Sequence, residues 1–259
     1  MSDPAASVDP EEVARFERLA NSWWDARGPM RALHKFNPLR LAYIRDETCR
    51  RLGRDPKSPR PLSGLSILDV GCGGGILAEP LARLGGSVAG LDPARTNIEV
   101  ARLHAERAGI LVDYRNETVE AVSAREETFD VVLAMEVVEH VQDVQAFIAT
   151  CTSVVRPGGL LFMATINRTL RAFALAIVGA EYVLGWLPRG THQWDRFVTP
   201  DELKLAIETS GMSVIDTTGV VYNPLRDAWT LSRDTGVNYM ALAAKPIAQG
   251  GTAHASSTP

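Results

Sequence analysis

Two patterns of hydrophobic positions alternate along the chain. Short apolar runs bounded by polar residues are typical of buried strands, and apolar positions recurring every three or four residues are typical of helices. We predict two closing strands at 212–222 and 237–246 that pair antiparallel at one sheet edge. Core strands are predicted at residues 65–71, 87–92, 111–116, 129–135 and 159–166. This alternation indicates an α/β fold: a mostly parallel sheet with helices on both faces.

The chain before the first core strand is predicted to be helical. Asp9 has the side chain of an N-cap and Pro10 suits the first helical position, while a second helix is predicted from Pro38 to Gly53. A Pro-rich linker follows this helix. We therefore expect three parts: an N-terminal helical extension and linker over 1–64, a main domain over 65–246, and a disordered polar tail over 247–259.

Composition narrows the function classes. The 259 residues are 46% hydrophobic and 22% charged, as in ordinary globular proteins, and a net charge of −4 argues against a nucleic-acid partner. Three cysteines without close pairing favour a reducing compartment, the cytoplasm. The N-terminus lacks the pattern of a signal peptide, and the longest apolar run, 170–187, is interrupted by Arg171 and Glu181.

The candidate ligand site begins at "DVGCGGG", a glycine-rich bend after the first core strand. A dinucleotide-binding fingerprint requires a third glycine at the position of Ile76, so the fit to NAD fails. Asp69 precedes the bend and Asp92 follows the next strand. Two acidic residues disfavour a pyrophosphate but suit a cationic nucleoside such as S-adenosylmethionine. Asp92 could accept hydrogen bonds from the ribose hydroxyls of this cofactor. The alternative is a tight turn in a fold that binds something else.

Longer motifs make the pattern specific. The stretches "ILDVGCGGG", "GLD", "FDVVLAMEVVEHV" and "RPGGLLFMATIN" occur in the order and spacing of class I S-adenosylmethionine-dependent methyltransferases, which have a Rossmann-like fold. Outside this core, "SWWD", "LHKFNPLRLAYI", "VGAEY", "GTHQWDRFVTPDEL" and "VNYMALAAK" resemble the ubiquinone biosynthesis O-methyltransferase family, from about residue 10 to 246. The resemblance implies S-adenosylmethionine as cofactor, with contacts from Arg40, Gly71, Asp92 and Met135.

The stretch "MEVVEHV" carries the candidate catalytic residues Glu136, Glu139 and His140. On one helical turn these offsets would share a face beside the ligand. The three side chains could bind Mg²⁺, Mn²⁺ or Zn²⁺, or His140 alone could act as general base. The alternative without function is that the carboxylates cap amides and His140 fills a gap. The resemblance implies metal ligands at these three positions, and we expect Mg²⁺.

The resemblance also implies the substrates. They are ring hydroxyls of two polyprenylated compounds of ubiquinone biosynthesis, the phenol 2-polyprenyl-6-hydroxyphenol and the catechol 3-demethylubiquinol. A second interpretation is an O-methyltransferase of a soluble phenolic compound, and a third is a membrane-surface binding module without catalysis. Membership of a ubiquinone biosynthesis complex is compatible with the resemblance and is not determined by the residues.

An apolar insertion over 167–198 is predicted between the fifth core strand and a capped helix at 199–211. Loops at this position usually span about two to six residues, so the insertion is a candidate for function. Within it, residues 168–189 have an apolar body flanked by arginines. This composition favours a helix at a membrane surface, with the protein attached peripherally to the inner membrane. The alternative is a lid over the substrate pocket.

Overall fold

The structure is a computed structural model that describes residues 9–169, 172, 196–223 and 225–247. Its centre is one eight-stranded sheet. The strands are β1 (Ser66–Val70), β2 (Ser87–Leu91), β3 (Asp113–Arg115), β4 (Phe129–Met135), β5 (Val155–Ile166), β6 (Ser213–Asn223), β7 (Ala228–Ser232) and β8 (Asn238–Ala244). Their order in the sheet is β3-β2-β1-β4-β5-β8-β6-β7.

The first five strands are parallel to one another, and the last three run antiparallel to their neighbours. Every residue of β4, which lies between β1 and β5, is buried, which explains its mostly apolar sequence. The two closing strands pair antiparallel as predicted, with β8 placed between β5 and β6. The sequence pattern missed β7, a short edge strand whose side chains are all partly or fully exposed.

Helices cover both faces of the sheet. They are α1 (Pro10–Leu19), α2 (Arg31–Arg51), α3 (Ala78–Arg83), α4 (Arg95–Ala108), α5 (Val119–Ala124), α6 (Val144–Ser153) and α7 (Pro200–Thr209). Buried side chains of α2, α3 and α4 join one apolar cluster, and those of α5, α6 and α7 join the other. The predicted Rossmann-like α/β fold is therefore confirmed.

The capped helices begin where the sequence predicts. Asp9 accepts a hydrogen bond from the backbone N–H of Glu11 at 3.0 Å, and Pro10 opens α1. At α7, the side chain of Thr199 accepts the N–H of Glu202 while the Glu202 carboxylate accepts the N–H of Thr199. This reciprocal pair satisfies two amides that a helix leaves without partners inside the helix.

The predicted start of the second helix is wrong, because α2 begins at Arg31 and Pro38 lies inside it. A proline inside a helix removes one backbone hydrogen bond, which is why Pro38 reads as a helix start. Tertiary contacts outweigh this loss: the rings of Phe36 and Trp229 lie 5.3 Å apart, and the Asn37 amide donates to the Ile76 carbonyl at 2.8 Å.

The N-terminal segment packs on the main domain, with Trp23 and Met30 buried against Ile76. Most of the predicted insertion and nearly all of the predicted tail lie outside the described residues, so the expected division of the chain stays a prediction. Within the parts of the chain that the structure describes, no helix combines the length and apolar character needed to cross a membrane.

Candidate active site

The glycine-rich bend follows β1 and has backbone conformations that residues other than glycine adopt only with strain. Gly71, Gly73 and Gly75 have φ angles of 70°, 53° and 86°, in the left-handed region. A Cβ at Gly73 would lie 2.4 Å from the ring of Trp23, so the bend also lacks room for a side chain there. The bend therefore presents bare backbone to the space beyond the strand ends.

A cavity of about 270 Å³ occupies that space, at the carboxyl ends of β1, β2 and β4. This is where ligands bind in open α/β sheets. The structure brings every predicted site residue to this cavity: Arg40, Gly71, Asp92, Met135, Glu136, Glu139 and His140. Their shared location is observed, while the role of each residue remains a prediction.

Asp92 directly follows β2 and is held by three hydrogen bonds. Its Oδ2 accepts the N–H of Gly73 at 2.9 Å, and its Oδ1 accepts the N–H of Ala94 at 2.8 Å and the amide of Asn97 at 3.2 Å. Burial raises the pKa of Asp92 to about 6 despite these donors. A carboxylate accepts about four hydrogen bonds, so Oδ2 can still accept a ribose hydroxyl.

Arg40 and Asp69 are buried charges with unused polar atoms. Each is 3% exposed. The guanidinium of Arg40 donates from Nη2 to Asn37 at 3.0 Å, but its Nε and the Asp69 Oδ2 have no hydrogen-bond partner. Burial raises the pKa of Asp69 to about 7, and the nearby Arg40 charge opposes the shift. A ligand with one ammonium and one carboxylate would satisfy both, and the methionine part of S-adenosylmethionine has both groups.

Met135, the last residue of β4, lines the cavity and belongs to the apolar cluster on one face of the sheet. A thioether at this position can pack against an adenine ring. The placement is compatible with the predicted cofactor contact and equally with a purely structural role, so the contact stays a prediction.

The candidate catalytic residues are not arranged on one helical turn, and that prediction is wrong. Glu136 has a φ of 61°, in the left-handed region, and only Glu139 and His140 belong to the following 3-10 turn, Val138–His140. The Glu136 N–H is held by the carbonyl of Ala164 at 2.9 Å, which continues the pairing of β4 with β5. The sequence offsets gave no indication of this change of backbone direction.

The two carboxylates of this stretch line the same cavity. Glu139 is buried and accepts the hydroxyl of Thr165 at 2.8 Å. Burial and then the charge of Glu139 raise the pKa of Glu136, while the Arg40 charge opposes the shift. A cation beside these carboxylates would favour their ionised forms.

His140 is held by a residue of the N-terminal helix, far from it in sequence. Its Nδ1 lies 2.8 Å from Oε2 of Glu12 on α1, and the Phe16 ring meets the imidazole edge-on at 5.2 Å. Among the residues that the structure describes, no three His, Cys, Asp or Glu side chains are grouped so that they could hold a metal ion. The side-chain types suit a divalent cation, but the predicted set of three ligands is not assembled.

Comparisons with known proteins identify the family. A methyltransferase domain model matches residues 68–163. The ubiquinone biosynthesis O-methyltransferase of Methylobacterium nodulans is 66% identical over 93% of this chain and 97% of that protein. The protein of the same name from Sinorhizobium fredii is 58% identical over 95% of this chain and 100% of that protein. The chain belongs to the ubiquinone biosynthesis O-methyltransferase family.

Solved structures of more distant methyltransferases share the fold. The magnesium protoporphyrin IX methyltransferase from Synechocystis PCC 6803, crystallised with S-adenosylhomocysteine, is 18% identical, with a TM-score of 0.59 over 90% of this chain and 94% of that chain. A methyltransferase from Thermotoga maritima gives a TM-score of 0.58 at 18% identity over 89% and 98%. At such identities the likeness supports the fold of this ubiquinone biosynthesis O-methyltransferase family member and nothing finer.

Four cavity or near-cavity residues of this family member were not assigned roles from the sequence: Glu12, Trp23, Asp69 and Asn97. The Trp23 indole donates to Asn97 at 2.7 Å, and Asn97 in turn donates to Asp92, so the N-terminal segment reaches the predicted ribose contact. The "SWWD" motif signalled the family but not this hydrogen bond. Asp69 was interpreted only as an acidic residue that suits a cationic ligand, without a specific contact.

Proposed function

We propose that this protein transfers a methyl group from S-adenosylmethionine to ring hydroxyls of polyprenylated intermediates in ubiquinone biosynthesis. The substrates in this proposal are 3-demethylubiquinol and 2-polyprenyl-6-hydroxyphenol. The observation that carries the proposal is the cavity itself, which is lined by Arg40 and Asp69 beside the glycine-rich bend and leaves the Arg40 Nε and the Asp69 Oδ2 without a hydrogen-bond partner. The 66% identity to a relative named for O-methylation in this pathway supports the reaction type. The soluble-phenol alternative is not favoured by these relatives.

The cofactor contacts follow from the charges and hydrogen bonds. Arg40 pairs with the carboxylate of the cofactor, and Asp69 accepts a hydrogen bond from the ammonium of the cofactor. Asp92 accepts hydrogen bonds from the ribose hydroxyls, and Met135 packs beside the adenine. Gly71 keeps backbone accessible at the bend: a Cβ there would lie 2.6 Å from Val137. This arrangement orients the sulfonium methyl for attack by the substrate oxygen.

His140 is proposed as the general base. It lines the cavity, and with Nδ1 at Glu12 its Nε2 remains available to a substrate. The phenolic proton moves to Nε2 while the oxygen attacks the methyl carbon, the C–S bond breaks, and neutral S-adenosylhomocysteine leaves. No covalent bond to the enzyme is needed.

A Mg²⁺ ion held by Glu136 and Glu139 is the finer part of the proposal. Mg²⁺ is commonly bound by one or two carboxylates, with waters and substrate oxygens completing its shell, so a set of three protein ligands is not required. The raised pKa of Glu136, to which the charge of Glu139 contributes, supports it. A bound ion would lower the pKa of a catechol hydroxyl.

Transfer of labelled methyl from S-adenosylmethionine to a short-tailed demethylubiquinol tests the reaction, measured with and without chelator. Labelled product establishes O-methylation, and its absence despite cofactor binding would contradict the proposed substrate. Chelator-sensitive turnover that Mg²⁺ restores supports the ion, whereas chelator-resistant turnover would remove it and keep His140 as base. Glu139→Gln should lose the Mg²⁺ response, while Glu208→Gln, at an exposed position on α7, should keep it.

Peripheral attachment to the cytoplasmic face of the inner membrane through residues 168–189 is also proposed. The apolar body of this segment and its arginines support it, and a lipid-tailed substrate must leave the bilayer to reach the cavity. Most of the segment lies outside the described residues. Arg168, one of its arginines, is ion-paired with Glu202 on α7.

Flotation with anionic vesicles tests this attachment. The full chain should float, and Arg171→Glu with Arg189→Glu should reduce flotation while leaving cofactor affinity unchanged. Equal flotation of both proteins, or a loss of cofactor affinity without a change in flotation, would favour a lid. Copurification of pathway enzymes would test membership of a ubiquinone biosynthesis complex.

A further inference from the structure

The first helix of the chain reaches the proposed catalytic base. Glu12 is 8% exposed although it lies on an N-terminal helix whose preceding residue, Glu11, is exposed. Its Oε1 accepts Nη1 of Arg15 at 3.0 Å, and its Oε2 lies 2.8 Å from Nδ1 of His140. A buried carboxylate on α1 therefore meets the imidazole that lines the cavity.

Helix α1 is fixed independently at its N-terminus, which fixes Glu12 in turn. The Asp9 carboxylate caps the helix and pairs with Arg196, which precedes α7, at 2.8 Å. The edge-on contact of Phe16 restricts His140 from the same helix. The imidazole is thus held from one side by two residues of α1, spaced one helical turn apart.

The Glu12–His140 contact is close but is not a straight hydrogen bond, since Oε2 has no partner of standard hydrogen-bond geometry. Hydrogen bonds in ligand-free catalytic sites are often misaligned and straighten when substrate binds. A carboxylate at one ring nitrogen places the proton there and leaves the other nitrogen as an acceptor. Here that assignment leaves Nε2 as the acceptor.

We propose that Glu12 is a positioning residue for methyl transfer, holding Nδ1–H of His140 so that Nε2 faces the substrate hydroxyl. The inference rests on the proposed function, because it gives Glu12 its role through His140 as base. It makes α1 part of the active site, because the contact of Glu12 with Nδ1 determines which ring nitrogen of His140 faces the cavity. The competing explanation is that the contact only attaches α1 to the core.

Steady-state kinetics of Glu12→Gln, with Glu11→Gln as the matched control, tests the role. Both variants remove one negative charge from the first turn of α1, but only Glu12 contacts His140. We expect Glu12→Gln to lower kcat roughly 10- to 100-fold, with KM for either substrate and the Kd of S-adenosylhomocysteine within about twofold of wild type. Glu11→Gln should behave as wild type. Equal kcat in the two variants would overturn the proposal.

A double-mutant cycle distinguishes positioning from a structural role. In a His140→Gln background, Glu12→Gln should cause no further loss of kcat, because a residue that acts through His140 has nothing left to position. Equal losses in both backgrounds would show that Glu12 acts elsewhere. Glu12→Asp, which retains the charge on a shorter side chain, should recover part of the activity lost in Glu12→Gln.

The imidazole ¹⁵N spectrum gives a readout that does not depend on turnover. His140 signals are assigned by their loss in His140→Gln. Wild type should show the proton on Nδ1, and Glu12→Gln should shift the population toward the Nε2–H form. A wild-type Nε2–H tautomer would overturn the inference. Absence of methyl transfer together with the expected tautomer would instead contradict the proposed function and leave Glu12 as the residue that orients His140.

Discussion

Asp69 and Arg40 each bury one polar side-chain atom that has no hydrogen-bond partner. Burying a polar atom without a partner costs about 1 to 3 kcal/mol, and more when it is charged. The Asp69 Oδ2 and the Arg40 Nε are both buried without a hydrogen bond. A ligand that carries both an ammonium and a carboxylate would give each of these two atoms a partner.

Asp69→Asn should therefore change stability and affinity in opposite directions. At pH 8 the variant removes a buried negative charge and should raise the melting temperature of the ligand-free protein. It should also weaken S-adenosylmethionine binding by about 10- to 100-fold, since a charged hydrogen bond contributes roughly 1.5 to 3 kcal/mol. Thermal denaturation and calorimetric titration measure the two effects. Asp201→Asn, at an exposed position on α7, should alter neither. Unchanged affinity would remove Asp69 from the cofactor site.

Gly73→Ala should lose affinity for S-adenosylmethionine, whereas Gly53→Ala should keep it. Both glycines have positive φ, so each alanine is expected to lower the unfolding free energy by about 1 to 2 kcal/mol. Only at Gly73 does the new Cβ collide with Trp23, while nothing lies within 4 Å of a Cβ at Gly53. Denaturation and cofactor titration of both variants test this difference. Equal cofactor affinity would show that displacement of Trp23 does not reach the cavity.

The site residues at strand ends could be located from sequence motifs, because the order and spacing of the strands put these residues at one edge of the sheet. Asp92 and Met135 each lie at the carboxyl end of a strand, where the fold class alone predicts a ligand site. Glu12 and Trp23 could not be assigned in this way. Their partners, His140 and Asn97, are distant in sequence, and only the packing of the N-terminal segment brings them together.

Among the elements, those with strong local signals were predictable. The parallel strands are nearly continuous apolar runs, and α7 has both members of a capping box. Elements that depend on tertiary contacts were not. The first turns of α2 lack a side-chain cap and contain Pro38, so the contacts of Phe36 and Asn37 decide their conformation. The left-handed residue Glu136 likewise interrupts a stretch that the offsets predict to be one helical turn.

Thr199→Ala should destabilise the protein without changing the cofactor site. The variant removes the side-chain acceptor for the Glu202 N–H at the start of α7, which typically lowers the unfolding free energy by about 1 kcal/mol. Thr199→Ser keeps the hydroxyl and should retain most of this energy. Urea denaturation measures the difference, and S-adenosylhomocysteine affinity should stay constant in both variants. An equal loss in Thr199→Ser would show that the methyl group, not the cap, stabilises α7.

At the scale of the whole molecule, the cofactor site couples ligand binding, pH and folding. The N-terminal segment, the glycine-rich bend and the ends of β2 and β4 all line the cavity, so a ligand there contacts parts that are far apart in the chain. A ligand at about 100 times its Kd adds about 2.7 kcal/mol to the free energy of unfolding. The pKa values of Asp69 and Asp92 determine how this effect changes with pH.

Both carboxyl groups have folded-state pKa values above the ordinary value, about 7 for Asp69 and about 6 for Asp92. A raised pKa means that the folded state binds the proton more tightly than the unfolded state. Their contribution to stability is complete below the unfolded pKa and is lost as pH rises through about 6 and 7. The titration of these two groups should therefore give the ligand-free protein a lower melting temperature at pH 8 than at pH 5.5.

Bound cofactor should reverse part of this loss, because its ammonium favours ionised Asp69 and its ribose favours ionised Asp92. We expect S-adenosylhomocysteine, which retains both groups, to raise the melting temperature more at pH 8 than at pH 5.5. Its Kd should rise, which means weaker binding, about tenfold for each pH unit that the pH falls below the pKa of a carboxyl that must ionise. Asp69→Asn should reduce this pH dependence, and Asp201→Asn should retain it. Equal melting-temperature shifts at both pH values in wild type would show that the buried carboxyls ionise independently of the cofactor.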